Sequence, residues 1–115
     1  MDDLKFIIYK GRNKHFYFEL EVIKGITILV SDGYDANYYC RKGIAAVKEN
    51  SHFDNRYDRR LAPSKQFYFI LTDGNGLALG ISEMYSSTQA RENGIAAVKC
   101  YASRATIVDL SPEVN

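Results

Sequence analysis

The feature that most restricts the fold is a repeat. Residues 43–48 and 94–99 both read GIAAVK. A shift of 51 residues also brings Lys14, Phe16, Tyr17, Phe18, Leu20, Gly25, Ser31 and Tyr34 onto Lys65, Phe67, Tyr68, Phe69, Leu71, Gly76, Ser82 and Tyr85 without a gap. A match this long is an internal duplication. Each copy, about 4–53 and 55–104, has roughly 50 residues, too few to bury a good core alone. The two halves are therefore expected to share one core within a single compact domain spanning the 115 residues.

Within each copy the apolar period changes from two to about 3.6. Phe16, Phe18, Leu20 and Val22 alternate with Tyr17, Glu19 and Glu21, which predicts a strand with one buried face. Ile26, Ile28 and Val30 predict the next strand, and FIIY near the start one before it; Phe67, Phe69 and Leu71, then Leu77, Leu79 and Ile81, repeat the pattern. Between the last two runs lies TDGNG, whose Asp73-Gly74 and Asn75-Gly76 pairs suit the positive φ of a tight hairpin. The acid-rich spacing of a calcium loop does not continue past Gly76.

Helices follow. Ala36, either Tyr39 or Cys40, Gly43, Ile44 and Val47 fall on one face, as do Ser87, Ala90, Gly94, Ile95 and Val98 in the second copy. Asp35 and Ser86 stand at the expected helix starts as caps, and Lys48 and Lys99 near the ends, where positive charge suits the helix dipole. A helical glycine costs about 1 kcal/mol against alanine. Gly43 and Gly94, at the same place in both copies, are therefore expected to admit a close neighbour.

The pattern aromatic-x-aromatic-x-Leu, Gly, Ser-(acidic)-x-Tyr, Gly-Ile-x-x-Val-Lys reads here as FYFEL, Gly25, SDGY (ending at Tyr34) and GIAAVK, then FYFIL, Gly76, SEMY (ending at Tyr85) and GIAAVK. In this the chain resembles the YegP-like family of small bacterial proteins of unknown function, in its tandem-duplicated form. The resemblance implies an α+β fold of two tandem β-β-β-α(-β) repeats. These form a pseudo-twofold shared antiparallel sheet, with two helices packed on one face and exchanged terminal strands. FDNRYDRRL would then close the first unit and open the second, and RATIVDL would supply the C-terminal strand at about 104–110. A duplicated chain of this kind would be an intramolecular pseudo-dimer and could stay monomeric. EVIKG stands where the family has an Asn-Gly-type turn, and Arg59 aligns with apolar Ile8. The resemblance brings no established activity.

The bulk numbers narrow the function classes. Hydrophobic residues make up 46% and charged ones 25%, close to the globular average. No apolar run approaches the ~20 residues of a bilayer span, so no membrane partner is expected. The start, MDDLKF, lacks a basic segment followed by an apolar one, which makes a cytoplasmic location the expectation. Fifteen basic residues against 14 acidic ones give no electrostatic case for a polyanion partner.

Candidates for chemistry are few. Cys40 and Cys100 match no metal or redox spacing and lie outside the duplicated pattern, and neither His15 nor His52 has a second ligand at metal spacing. No catalytic residues, cofactor or metal site is predicted. YSSTQ at 85–89 places hydroxyls at a helix start, where anions can bind, but YDANY in the first copy makes capping the reading that covers both. The candidate interaction surface is aromatic: Tyr17 and Tyr68 should face away from the buried phenylalanines, with Arg56 and Arg59 on a neighbouring strand. Tyrosine interleaved with arginine on an open sheet is how many proteins bind single-stranded nucleic acid; Glu19, Glu21 and Asp58 would oppose it. A non-catalytic binding or interaction module with a protein partner therefore ranks first, nucleic-acid binding second and an enzyme last.

Overall fold

The computed structural model describes residues 3–111. Seven strands form one sheet: β1 (Lys5–Lys10), β2 (Phe16–Val22), β3 (Ile26–Val30), β4 (Tyr57–Leu61), β5 (Phe67–Thr72), β6 (Ala78–Ile81) and β7 (Thr106–Asp109). Helices α1 (Asn37–Asn50) and α2 (Thr88–Tyr101) follow β3 and β6. The order across the sheet is β4-β5-β6-β3-β2-β1-β7, antiparallel except where β7 lies parallel to β1. Alternation places Phe6 and Ile8, Phe18 and Leu20, Tyr57, and Phe69 and Leu71 on one face of the sheet. Both helices cover that face with Cys40, Ile44 and Val47 and with Ile95 and Val98. Tyr39, the alternative to Cys40, is 54% exposed, so Cys40 is the helix residue of the core.

The two copies meet at a pseudo-twofold axis. β3 and β6 are joined by one rung, Val30 to Ile81, and these residues are 51 apart, each the other's equivalent. Such a pairing of a position with itself is the signature of a twofold interface. Around it α1 packs on β2 of its own copy and on β5 and β6 of the other, while α2 reaches β3. One continuous core results, as two undersized halves require.

Strand exchange follows the same symmetry. The segment leaving α2 crosses to α1, where Lys48 Nζ donates to the Ala105 carbonyl at 2.8 Å. The segment leaving α1 crosses to α2, where Lys99 Nζ donates to Asp54 Oδ1 at 2.8 Å. The first then runs on as β7 beside β1, and the second as β4, the edge strand beside β5.

Three local expectations are corrected. Ile26 and Leu77 are 60% and 65% exposed, while Leu29, between Ile28 and Val30, is fully buried. The cause is a β-bulge in each hairpin, between Leu20 and Glu21 against β3 and between Leu71 and Thr72 against β6, which inserts a residue and changes the facing phase. In TDGNG only Gly76 takes positive φ, +85°, and Gly25 at +78° is its counterpart in the first copy. Asp73 Oδ1 instead accepts from the backbone N–H groups of Asn75 and Leu77, closing the turn with its side chain. The helix caps, finally, fall one residue later than expected: Ser87 Oγ accepts from Ala90 N at 3.0 Å, and Ala36 caps α1 with no side-chain bond. Asp35 lies 3.2 Å from His15 Nε2 instead.

Candidate functional site

The repeated motif residues turn out to hold the fold. Where β3 leaves β2, Ser31 Oγ accepts from Phe18 N at 2.9 Å and donates to the Asp32 carbonyl, so a side chain fills a ladder rung; Ser82 does the same for Phe69 N at 3.0 Å. The chain then returns to β2, and Tyr34 exchanges both backbone bonds with Phe16 at 2.8 Å, as Tyr85 does with Phe67. This sets the Tyr34 ring over Phe18 and the Tyr85 ring over Phe69, stacked at 6.3 and 6.5 Å. Each tyrosine hydroxyl reaches the helix glycine. A Cβ on Gly43 would meet the Tyr34 hydroxyl and lie 2.7 Å from its Cζ, and on Gly94 it would meet the Tyr85 hydroxyl, 2.6 Å from Cζ. Ile44, Val47, Ile95 and Val98 continue the same helix face into the core, and Lys48 and Lys99 hold the crossing segments. Burial pushes both tyrosines above their ordinary pKa, keeping them neutral.

The four residues expected to form an interaction surface are divided between two faces. Tyr17 and Tyr68 lie on the face no helix covers, since they alternate with buried Phe18 and Phe69. Arg59 pairs with Phe69 and so points to the helix side, where its guanidinium makes two bonds to Glu92 at 2.8 and 2.9 Å and one to Asp54 at 3.0 Å. Arg56 is held by Asn50 Oδ1 and Asn55 Oδ1 and stacks 4.9 Å over the Phe53 ring. Expecting Arg59 beside the tyrosines mistook the phase of β4 by one residue, since Arg60 lies opposite Tyr68 on the open face, and Arg56 lies in the turn before β4. Tyr9 was also missed. It stacks on Tyr17 at 5.5 Å, with Asn13 Nδ2 donating to the Tyr17 hydroxyl at 2.7 Å. The signal was present, because Tyr9 and Arg60 are equivalents in the repeat and each is opposite a duplicated tyrosine.

The open face therefore carries Lys5, Ile7 and Tyr9 on β1; Tyr17, Glu19 and Glu21 on β2; Asp58 and Arg60 on β4; and Tyr68, Ile70 and Thr72 on β5. Asp58 and Arg60 pair along the strand at 2.8 Å. Its charges are two basic against three acidic on these strands. At its centre, where the two copies meet through one rung, a cleft of about 110 Å³ opens between Val30, Ile70, Ala78 and Ile81, and Leu79, Gly80 and exposed Asp32 complete its lining.

The thiols and imidazoles are dispersed. Cys40 is fully buried, and desolvation followed by the nearby Asp109 charge raises its thiol to about 11, so at neutral pH it is not a thiolate. Cys100 is exposed on α2 beside Arg104. His15 faces Asp35, and His52 is an exposed residue just past α1. Among the described residues no three His, Cys, Asp or Glu side chains gather to hold a metal ion, and no helix is long and apolar enough to cross a membrane.

A family described as a domain of unknown function (DUF1508) matches the chain twice, at residues 12–58 and 62–109. The chain belongs to this family. The UPF0339 protein YegP of Escherichia coli strain K12 is 38% identical over 104 residues, covering 90% of this chain and 94% of that protein. A UPF0339 protein from the 5′ region of the ptx operon of Stutzerimonas stutzeri is 36% identical over 105 residues, covering 91% and 95%. The solution NMR structure of E. coli yegP superposes with a TM-score of 0.90 at 36% identity over 96% of each chain. That of UPF0339 protein SO3888 from Shewanella oneidensis gives 0.88 at 36% identity, over 94% of this chain and 92% of that one. These relatives are described as uncharacterised or of unknown function, and none carries the name of an enzyme.

Proposed function

We propose that the protein is a non-catalytic interaction module that binds a partner polypeptide on its open sheet face. The observation that carries this reading is one uncovered face of a seven-strand sheet, bearing the stacked Tyr9–Tyr17 pair at one end, Tyr68 with Arg60 at the other and an apolar cleft between them. Antiparallel sheets often leave one face to solvent, but such faces are usually polar. Tyrosine and an apolar cleft supply the rigid, desolvatable contacts that anchor protein interfaces. With Arg59 and Arg56 engaged elsewhere, the face keeps Lys5 and Arg60 against Glu19, Glu21 and Asp58, a balance that suits polypeptide over polyanion. Single-stranded nucleic acid is the second reading, favoured by Arg60 beside Tyr68.

Selection of displayed peptides on the wild-type protein, counter-screened on Tyr17→Ala/Tyr68→Ala, tests the first reading. Anisotropy of labelled single-stranded DNA and RNA pools at low and physiological salt tests the second. Peptides that lose binding in the double variant, with shallow salt dependence, are expected. Steeply salt-dependent nucleic-acid binding lost in the same variant would replace the first reading with the second, and binding indifferent to both tyrosines would remove the face from consideration.

A further inference from the structure

We propose that the central cleft takes the aliphatic stem of a lysine side chain on the partner polypeptide and pairs its ammonium with Asp32. The proposal rests on the open face being the interaction surface. Its first support is size and lining. At about 110 Å³, walled by Val30, Ile70, Ala78 and Ile81, the cleft approaches the ~150 Å³ at which an apolar protein cavity takes up benzene, enough for a four-carbon chain. The second support is the rim. Asp32 is exposed there, and among the described residues its carboxylate makes no hydrogen bond or ion pair. A long side chain with apolar methylenes and a terminal charge is the group that satisfies an apolar trough ending at one carboxylate. No aromatic ring lines the cleft, so nothing there favours a stacked guanidinium or a quaternary ammonium over a simple one.

The third support is the asymmetry between the copies. The pseudo-twofold maps Ile70 and Ala78 onto Glu19 and Thr27, which are joined by a hydrogen bond of 3.2 Å from Thr27 Oγ1 to Glu19 Oε1. Apart from Val30, the apolar lining thus belongs to the second copy. A duplicated fold has kept the architecture in both halves and diverged at these two outward positions, which the core does not constrain. The excess of carboxylates across the rest of the face favours the same sign of partner.

The test uses the full chain with labelled methyl groups, titrated with n-pentylammonium, 1-pentanol and pentanoate. Saturable shifts confined to Val30, Ile70, Ala78 and Ile81 are expected, strongest with the ammonium and weakest with the carboxylate. Asp32→Asn should weaken ammonium binding roughly two- to fivefold, the range of an exposed ion pair, and leave the alcohol unchanged. Ile70→Glu/Ala78→Thr, which installs the first copy's own pair, should abolish binding of the alcohol while its backbone spectrum reports an intact fold. Equal binding of all three probes, no saturable shift, or indifference to Asp32→Asn overturns the proposal. If it is overturned while Tyr17→Ala/Tyr68→Ala still loses selected peptides, the face reading stands without the lysine site. If instead the ammonium site holds and the tyrosines prove idle, the face reading as drawn falls and the cleft alone is supported.

Discussion

Gly43 and Gly94 stand in helix interiors where alanine would ordinarily be better by about 1 kcal/mol. Their neighbours Tyr34 and Tyr85 explain the exception, since each ring occupies the volume a Cβ would need. The neighbour is a ring held by two backbone bonds and a stack on Phe18 or Phe69, so it cannot simply swing away. Gly94→Ala is expected to lose about 1–3 kcal/mol in urea unfolding through overpacking, against the gain in helix propensity. Tyr85→Phe removes the hydroxyl nearest that Cβ. The double variant Gly94→Ala/Tyr85→Phe should therefore recover part of the loss, giving a coupling that separate effects would not produce. A Gly94→Ala protein as stable as the wild type, or strictly additive variants, would mean that the ring yields.

At the level of elements, β4 is tied to α2 by charge where β1 is tied to β7 by backbone. Lys99 and Arg59 donate to Asp54 and hold its carboxyl at about 2, and Arg59 lowers Glu92. At β7, desolvation works to raise the Asp109 carboxyl, but bonds from Ser111, Asn37 and Arg41 outweigh it and leave it well below the ordinary range. All three carboxyls are depressed on folding. The stability they contribute is therefore complete above their unfolded values near ~4 and is lost as pH falls through the folded ones, toward about 2 for Asp54. Urea midpoints should fall steeply between pH ~4 and ~2, and Asp54→Asn should flatten part of that limb while changing little in its shape above pH ~5. A parallel limb in the variant would show that Asp54 does not couple to folding.

The same elements mark where the sequence could be read and where it could not. The strands, helices and shared core followed from period and duplication, and the exchange from the family resemblance. The phase of β3 and β6 did not, because Ile28 and Leu29 are both apolar and hide the bulge that turns Leu29 inward. Arg59 was misplaced for a related reason: on a short edge strand a charged residue can face the helices when Glu92 and Asp54 meet it, and only the alignment with Ile8 hinted at this. The cleft was illegible because it arises from the separation of two strands joined by one rung.

For the whole molecule, the Val30–Ile81 rung joins a position to its own equivalent, so everything about the interface between copies is in principle available to two identical copies. A chain of residues 1–61 contains β1 to β3, α1 and β4, and lacks the β5 and β6 surface on which α1 packs. Alone it would leave that side of α1 and the inner face of β3 in water, which a unit of this size cannot sustain. Paired, Val30 would meet Val30 of a second copy, and α1 would find β2 and β3 of that copy in place of β5 and β6. The segment between α1 and β4 is the counterpart of the segment before β7, as the Lys48–Ala105 and Lys99–Asp54 bonds show, and it would cross to the second copy. Sedimentation equilibrium and circular dichroism on this fragment should therefore give a dimer whose melting temperature rises with concentration and whose dissociation and unfolding coincide. A folded monomer with a concentration-independent melt would show that one copy holds a sufficient core of its own, and the duplication would then need a reason other than shared burial.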